Sequence, residues 1–481
     1  MKGSTAPRLE FRMSLSHGGS AHRLRAEYEA SGGGSMPGPR AALRLIATLC
    51  ALALLLAAPA ARAATLLRDA DLEHALTEIA APVLRAAGLS PGQVDVLVIK
   101  DDRMNAFVAD TTRIFINSGL ILKLPNAKSL QAVIAHEAAH ITGGHITRRM
   151  DNMRAARNAA GLGLVLAAAA GAATGRADAA AGLAIGAQST AMRSFLGHSR
   201  AEESSADIAS IRTLVQAGID PRGALQVQEI FLGQEALNVG RQDPYMQSHP
   251  LTRDRYRAAQ GLVAAAKVPE RNDPNADYWF LRARGKLSAF LRAPGWTLGR
   301  LGDSGSRDIA LMREAVARHR QTDLPGALKA IDGALALRPK DPYYHDLKGQ
   351  ILLEGRRPAD SARVYAQARD LAPRNAQVLG GLGRAQLASG QFAAALATLE
   401  EARGRDWADP RILRDLSVAY ARAGNNGMAS EATAQRYALE GRMQDAGIHA
   451  KRAVDLLPRG SAPWNRAQDV LDASERAARK R

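Results

Sequence analysis

Beyond Arg307 the chain repeats itself. The stretch "ALALRP", ending at Pro339, returns as "ARDLAP", ending at Pro373, 34 residues on; Gly349 and Gly383 keep the same interval, as do Gly390 and Gly424. A period of this length is one pair of helices, and a pair so thin cannot bury its own apolar face. Each pair must stack on the next, which confines this half of the chain to a superhelix with a concave groove. A further unit, "RYALEGRMQDAGIHAKRAVDLLP", closes the array, giving about three and a half repeats with irregular spacing after Pro373.

This is the tetratricopeptide (TPR) period, and the rest of the composition agrees with a mainly α chain. Hydrophobic residues make up 46% and charged residues 23%, as in globular protein, and only 4% are aromatic, which favours helices packed through small side chains. The formal net charge is +17, of which residues 1–63 hold a surplus of five (eight Lys/Arg against three Asp/Glu), leaving +12. No run of Lys/Arg is interleaved with aromatics and there are no zinc-knuckle cysteines, so we read a solvated basic surface and no nucleic-acid partner. From Met36, Arg40 and Arg44 precede the apolar run Leu45 to Ala58 and an A-x-A site at Ala61-Arg62-Ala63. That is the pattern of a secretory signal, with an apolar core too short to span a bilayer. The single cysteine, Cys50, falls inside it, so the processed chain would hold no disulfide. Residues 1–35, rich in Gly and Ser, read as an upstream extension outside the fold.

Between these parts, residues 66–90 carry helical apolar spacing, and "VDVLVIKD" and "TRIFINSG" read as strands around "RMNAFVAD", a small β-sheet. The helical period returns at Leu130 and is expected to bend or stop at Gly143-Gly144. Residues 159–192 are two small-residue apolar runs, read as a packed or active-site-covering hairpin with a peripheral membrane contact as the alternative. The expected organisation is an extension (1–35), a signal peptide (36–63), a catalytic domain (64–265), a linker with one amphipathic helix (266–308) and the repeat domain (309–481).

Inside the helix at Leu130 lies "VIAHEAAHITGGH", residues 133–145. His136 and His140 are spaced i, i+4, so both imidazoles reach one metal ion from one helix face, and Glu137 stands about 100° round, beside an open coordination position. Zinc binds neutral imidazole and makes water nucleophilic near neutral pH, with Glu137 as the base and the metal polarising a scissile carbonyl. A third ligand is sought in "SRAEESSAD": Glu203 and Asp207 are again i, i+4, one to ligate and the other to accept an N–H from a ligand histidine. Glu202 points elsewhere and reads as a surface charge. His145, half a turn away if the helix continues, reads as structural. His249, before Pro250 in "QSHPLTRDR", is assigned a catalytic or supporting role, and Arg255 is expected to pair with a nearby carboxylate.

Taken in order, "NAFV", "INSGLI", "HEAAHITGGH", the ExxAD of Glu203 to Asp207 and "HPLTRDR" resemble the gluzincin metallopeptidases that include HtpX and the CAAX prenyl proteases. The resemblance, extended by the repeats, covers roughly residues 66–457. It implies a zincin-like protease domain followed by a TPR superhelix, with one Zn2+ per chain held by His136, His140 and Glu203. Glu137 would be the base, Asp207 the support, and His249 a histidine close to the metal. It further implies a periplasmic endopeptidase of unfolded or misassembled outer-membrane proteins that docks on the barrel-assembly machinery through its TPR groove. One departure stands out: Ser205 replaces the second Glu of the family's ExEAD motif. The rival expectation is a TPR chaperone or adaptor whose protease site is latent.

Overall fold

The computed structural model describes residues 65–148, 151, 200–237, 241–269 and 273–479. The signal-like segment 36–63, the extension before it and the apolar runs of 159–192 lie outside these residues.

The N-terminal half begins with β1 (Leu66–Leu67) and α1 (Ala70–Ala86), capped by the Asp69 carboxylate on the Leu72 N–H. Strands β2 (Asp95–Ile99), β3 (Ala106–Asp110) and β4 (Arg113–Asn117) follow. They form one four-stranded sheet in the order β1-β2-β4-β3. β2 and β4 are parallel, pairing Val96 with Ile114 and Val98 with Ile116, while β3 runs antiparallel to β4 at the edge. The alternate residues Val96, Val98, Ile114 and Ile116 point into one core with Leu76, Ile79 and Val83 of α1.

After α2 (Ser118–Lys123) comes α3 (Ala127–Thr142), started by the Asn126 side chain on the Ser129 N–H. Every residue from Ser129 to Ile141 is buried, so α3 is a central helix enclosed on all sides. That explains its Ala-rich sequence and leaves three polar side chains, His136, Glu137 and His140, needing compensation inside the core. α4 (Arg200–Gln216) packs along it, followed by α5 (Arg222–Phe231), the short α6 (Pro244–Ser248) and α7 (Arg253–Ala266).

α8 (Pro274–Leu291) is the helix expected between residues 266 and 308. Phe280, Ala283 and Leu287 complete the core of the N-terminal half, whereas Ala289, with Tyr278 and Leu281, enters the first core of the repeats. Beyond α9 (Pro294–Leu298), ten helices form five pairs: α10 (Arg307–Arg320) with α11 (Leu324–Leu337), α12 (Pro342–Glu354) with α13 (Pro358–Leu371), α14 (Ala376–Ala388) with α15 (Phe392–Arg405), α16 (Pro410–Arg422) with α17 (Asn426–Leu439), and α18 (Met443–Leu456) with α19 (Ala462–Ala478). Successive pairs begin 35, 34, 34 and 33 residues apart. The array is thus longer than the expected three and a half repeats and stays regular past Pro373. The third inter-pair loop hid this, because Trp407 stands where Pro339 and Pro373 mark the earlier ones.

The repeated glycines have two separate causes. A Cβ on Gly349 would fall 2.6 Å from the Tyr365 ring, and one on Gly383 would fall 2.5 Å from Leu399, so each glycine lets its partner helix approach closely. Gly390 and Gly424 instead adopt φ of +80° and +75° in the turn between paired helices.

Candidate metal centre

His136, His140, Glu203 and His249 meet at one point, and all four are buried. The Nε2 atoms of His136 and His140 are 3.1 Å apart. Glu203 lies 3.4 Å from His136 through Oε2 and 3.3 Å from His140 through Oε1. His249 Nδ1 lies 3.3 Å from His136 Nε2 and 3.0 Å from Glu203 Oε1. Bonds of 2.0–2.1 Å to a tetrahedral zinc place ligand atoms about 3.3–3.4 Å from one another, so these spacings are close to the edges of that tetrahedron. Three imidazole nitrogens and a carboxylate oxygen are, moreover, a donor set suited to zinc. Among the described residues no other such cluster occurs.

Each donor is aimed by a second contact. His136 Nδ1 lies 3.3 Å from Asp207 Oδ1, so its N–H is held by a carboxylate while Nε2 faces the centre. Arg255 grips Asp207 in turn, Nε at 2.8 Å and one terminal nitrogen at 2.9 Å, and reaches Glu203 Oε2 at 3.1 Å. The Arg255 partner expected from sequence is therefore Asp207, with Glu203 beside it. His249 Nε2 faces the Ala106 carbonyl of edge strand β3 at 3.3 Å and Glu137 Oε1 at 3.5 Å. Both neighbours accept, so a proton on Nε2 would be held there with Nδ1 turned to a cation in the centre.

His145 differs from its expected placement. α3 stops at Thr142 and Gly144 takes φ +67°, so the chain turns back and His145 Nδ1 comes within 2.8 Å of His140 Nδ1. It does not lie on the far side of a continuing helix. Its Nε2 contacts Ser205 Oγ at 3.4 Å, the position where the resemblance expects an acid. Sequence spacing could not reveal this contact, because it depends on the break at Gly143-Gly144. Tyr245 was also missed: its ring lies 4.7 Å from that of His249 and covers the site, with no motif to announce it.

The electrostatics follow from this wiring. Burial opposes the charged form of Glu203, but His249, His136 and His140 around it hold its carboxyl well below the usual range. Burial likewise opposes ionisation of Asp207, and the hydrogen bonds from His136 and Arg255 outweigh it and lower its pKa. The centre is thus a fixed negative charge facing imidazole nitrogens, the arrangement a divalent cation needs. On the Asp207 side of His136 a small cavity of about 30 Å³ is lined by Phe231, Tyr245, Met246 and Leu251.

Comparison with known proteins gives the same division of the chain. Residues 67–263 match peptidase family M48 and residues 352–414 match a tetratricopeptide repeat. A beta-barrel assembly-enhancing protease of Escherichia coli O157:H7 is 25% identical over 389 residues, which is 78% of this chain and 77% of that protein. One from Yersinia pestis is 27% identical over 190 residues, 39% of this chain and 38% of its own length. The mitochondrial metalloendopeptidase OMA1 of Schizosaccharomyces pombe is 26% identical over 202 residues, 41% of this chain and 55% of its own. With its buried His-His-Glu-His cluster and its stacked helix pairs, the chain resembles peptidase family M48 over residues 67–263 followed by a TPR array, and is similar in layout to the beta-barrel assembly-enhancing proteases.

Proposed function

We propose that this chain is an exported zinc endopeptidase that hydrolyses unfolded or misassembled outer-membrane proteins in the periplasm, and that its TPR groove docks the barrel-assembly machinery. The convergence of His136, His140 and Glu203 with Glu137 one residue from the first ligand is the observation that carries the reading. Zinc bound by these side chains would supply a Lewis acid that makes water nucleophilic at neutral pH. Glu137, fully buried on the next step of α3, is placed to accept a proton at its carboxylate and pass it to the leaving amine. Asp207 keeps the His136 proton on Nδ1, and Arg255 keeps Asp207 ionised and oriented. The substrate class and the docking partner rest on the printed names of the relatives and on the repeat array.

A specific observation favours a second reading in part. His249 stands as a fourth donor beside His136, His140 and Glu203, as a latent protease within a TPR adaptor would require. Glu137→Gln separates the two. It should keep one zinc per chain and lower hydrolysis of unfolded casein by about 10²-fold or more. Wild type that leaves casein and unfolded outer-membrane protein intact, while preventing their aggregation as well as the variant does, would establish the adaptor.

A further inference from the structure

The first repeat helix carries a buried positive charge without a counter-ion. Arg313 on α10 is only 4% exposed. One terminal nitrogen donates to the Arg300 carbonyl at 2.8 Å and to Ser304 Oγ at 2.6 Å, both neutral groups. Its Nε has no acceptor. Burial pushes the guanidinium below its usual range, Asp303 offsetting this in part and Arg284 adding to it. A charge so placed is costly unless something pairs with it.

Arg313 lines a cavity of about 280 Å³ between α2, α8, α9 and α10, and Arg284, Arg292 and Arg300 line it too. Asp303, exposed at the rim, is the one acid among the lining residues. Arg284 is hydrogen-bonded to a neutral group, the Leu124 carbonyl at 3.3 Å. The Arg300 guanidinium lies 4.8 Å from the centre of the Trp296 ring, which is itself 39% exposed. α8 gives Arg313 its room: a Cβ at Gly285 would sit 3.1 Å from the Arg313 Cδ.

We propose that this cavity binds a phosphate ester, with Arg313 at its base and Arg284, Arg292 and Arg300 around the anion. Four guanidiniums against one carboxylate exceed what a single carboxylate ligand would neutralise, and planar guanidinium forks match phosphate oxygens. The space is several times the roughly 30 Å³ share of one water, which leaves room for the organic part of the ester against Leu122, Leu281 and Trp296. A soluble phosphate ester and a phospholipid headgroup offer the same chemistry.

The test titrates purified protein with glycerol 3-phosphate and with inorganic phosphate at constant ionic strength, following Trp fluorescence and the melting midpoint. Sedimentation with vesicles of phosphatidylglycerol and phosphatidylcholine in equal parts forms the second arm. The variant is Arg292→Gln/Arg300→Gln, whose side chains are both exposed, so that the fold survives. Saturable binding that the double variant weakens by about tenfold or more supports the site. Loss of vesicle binding in the same variant assigns the ester to lipid, and soluble binding without vesicle binding assigns it to a small molecule. The proposal fails if phosphate and chloride act alike at matched ionic strength, or if the double variant binds every probe as wild type does.

Discussion

At the residue scale the centre depends on hydrogen bonds that fix which nitrogen of each histidine faces inward. His136 donates to Asp207, His140 shares a contact with His145, and His249 is turned by the Ala106 carbonyl and Glu137. The last of these makes a prediction. On the proposed reading a hydrolytic zinc would keep three protein ligands and an open position, and His249 Nδ1, the fourth donor of the cluster, would fill it. His249→Ala should therefore retain one metal per chain and cleave unfolded casein faster than wild type, as read by metal analysis alongside a peptide-release assay. Loss of the metal in this variant would instead make His249 an indispensable ligand. The i, i+4 histidine pair and the second carboxylate pair were legible in the chain, since helical spacing alone puts each pair on one face. The aim of His249 and the return of His145 were not, because both come from chain reversals whose outcome depends on packing.

The elements are ordered by close approach and by caps. In the repeats the 34-residue interval between Gly349 and Gly383 is matched by the interval between Tyr365 and Leu399, the side chains that fill the missing Cβ positions. Gly349→Ala would drive a methyl into a ring held between α12 and α14, where Gly381 is packed against its other edge with a virtual Cβ at 2.3 Å. The expected cost is about 1–3 kcal/mol, measured by urea unfolding, with no change at the metal centre. An unchanged midpoint would show that the helix pair can spread without loss. The helices themselves were readable from their periodicity, and so was the small sheet. The number of repeats was underestimated because a loop lacking proline does not reveal a boundary that backbone geometry still keeps.

For the whole molecule, α8 ties the catalytic half to the array through buried charges. Arg282, fully buried, pairs with Asp71 of α1 at 2.7 Å and with Asp341 at 2.5 and 2.9 Å, its guanidinium 4.0 Å from the centre of the Tyr344 ring. Lys286 one turn on pairs with Asp69 at 2.8 Å and Asp71 at 3.4 Å. Nearby Asp346 is raised to about 7 by burial, which Lys286 opposes and Asp69 and Asp71 reinforce. An acid with a raised folded-state pKa binds a proton on folding, so its contribution is complete below its unfolded value and disappears as pH rises through about 7. Wild type should thus lose stability between pH 5 and pH 8 relative to Asp346→Asn, whose urea midpoint should change less over that window. Parallel pH profiles for the two proteins would show that Asp346 ionises freely in the folded state.

What the chain settles by itself is local: a helix-pair period that forces stacking, a helix that sets two imidazoles beside a carboxylate, and a sheet written in alternating residues. These follow from the 3.6-residue and two-residue repeats of the backbone, which any window of sequence carries. The tertiary structure alone decides that Glu203 and His249 reach the histidine pair and that α8 serves two cores. Those outcomes join residues far apart along the chain, and their distances are set by how whole elements pack.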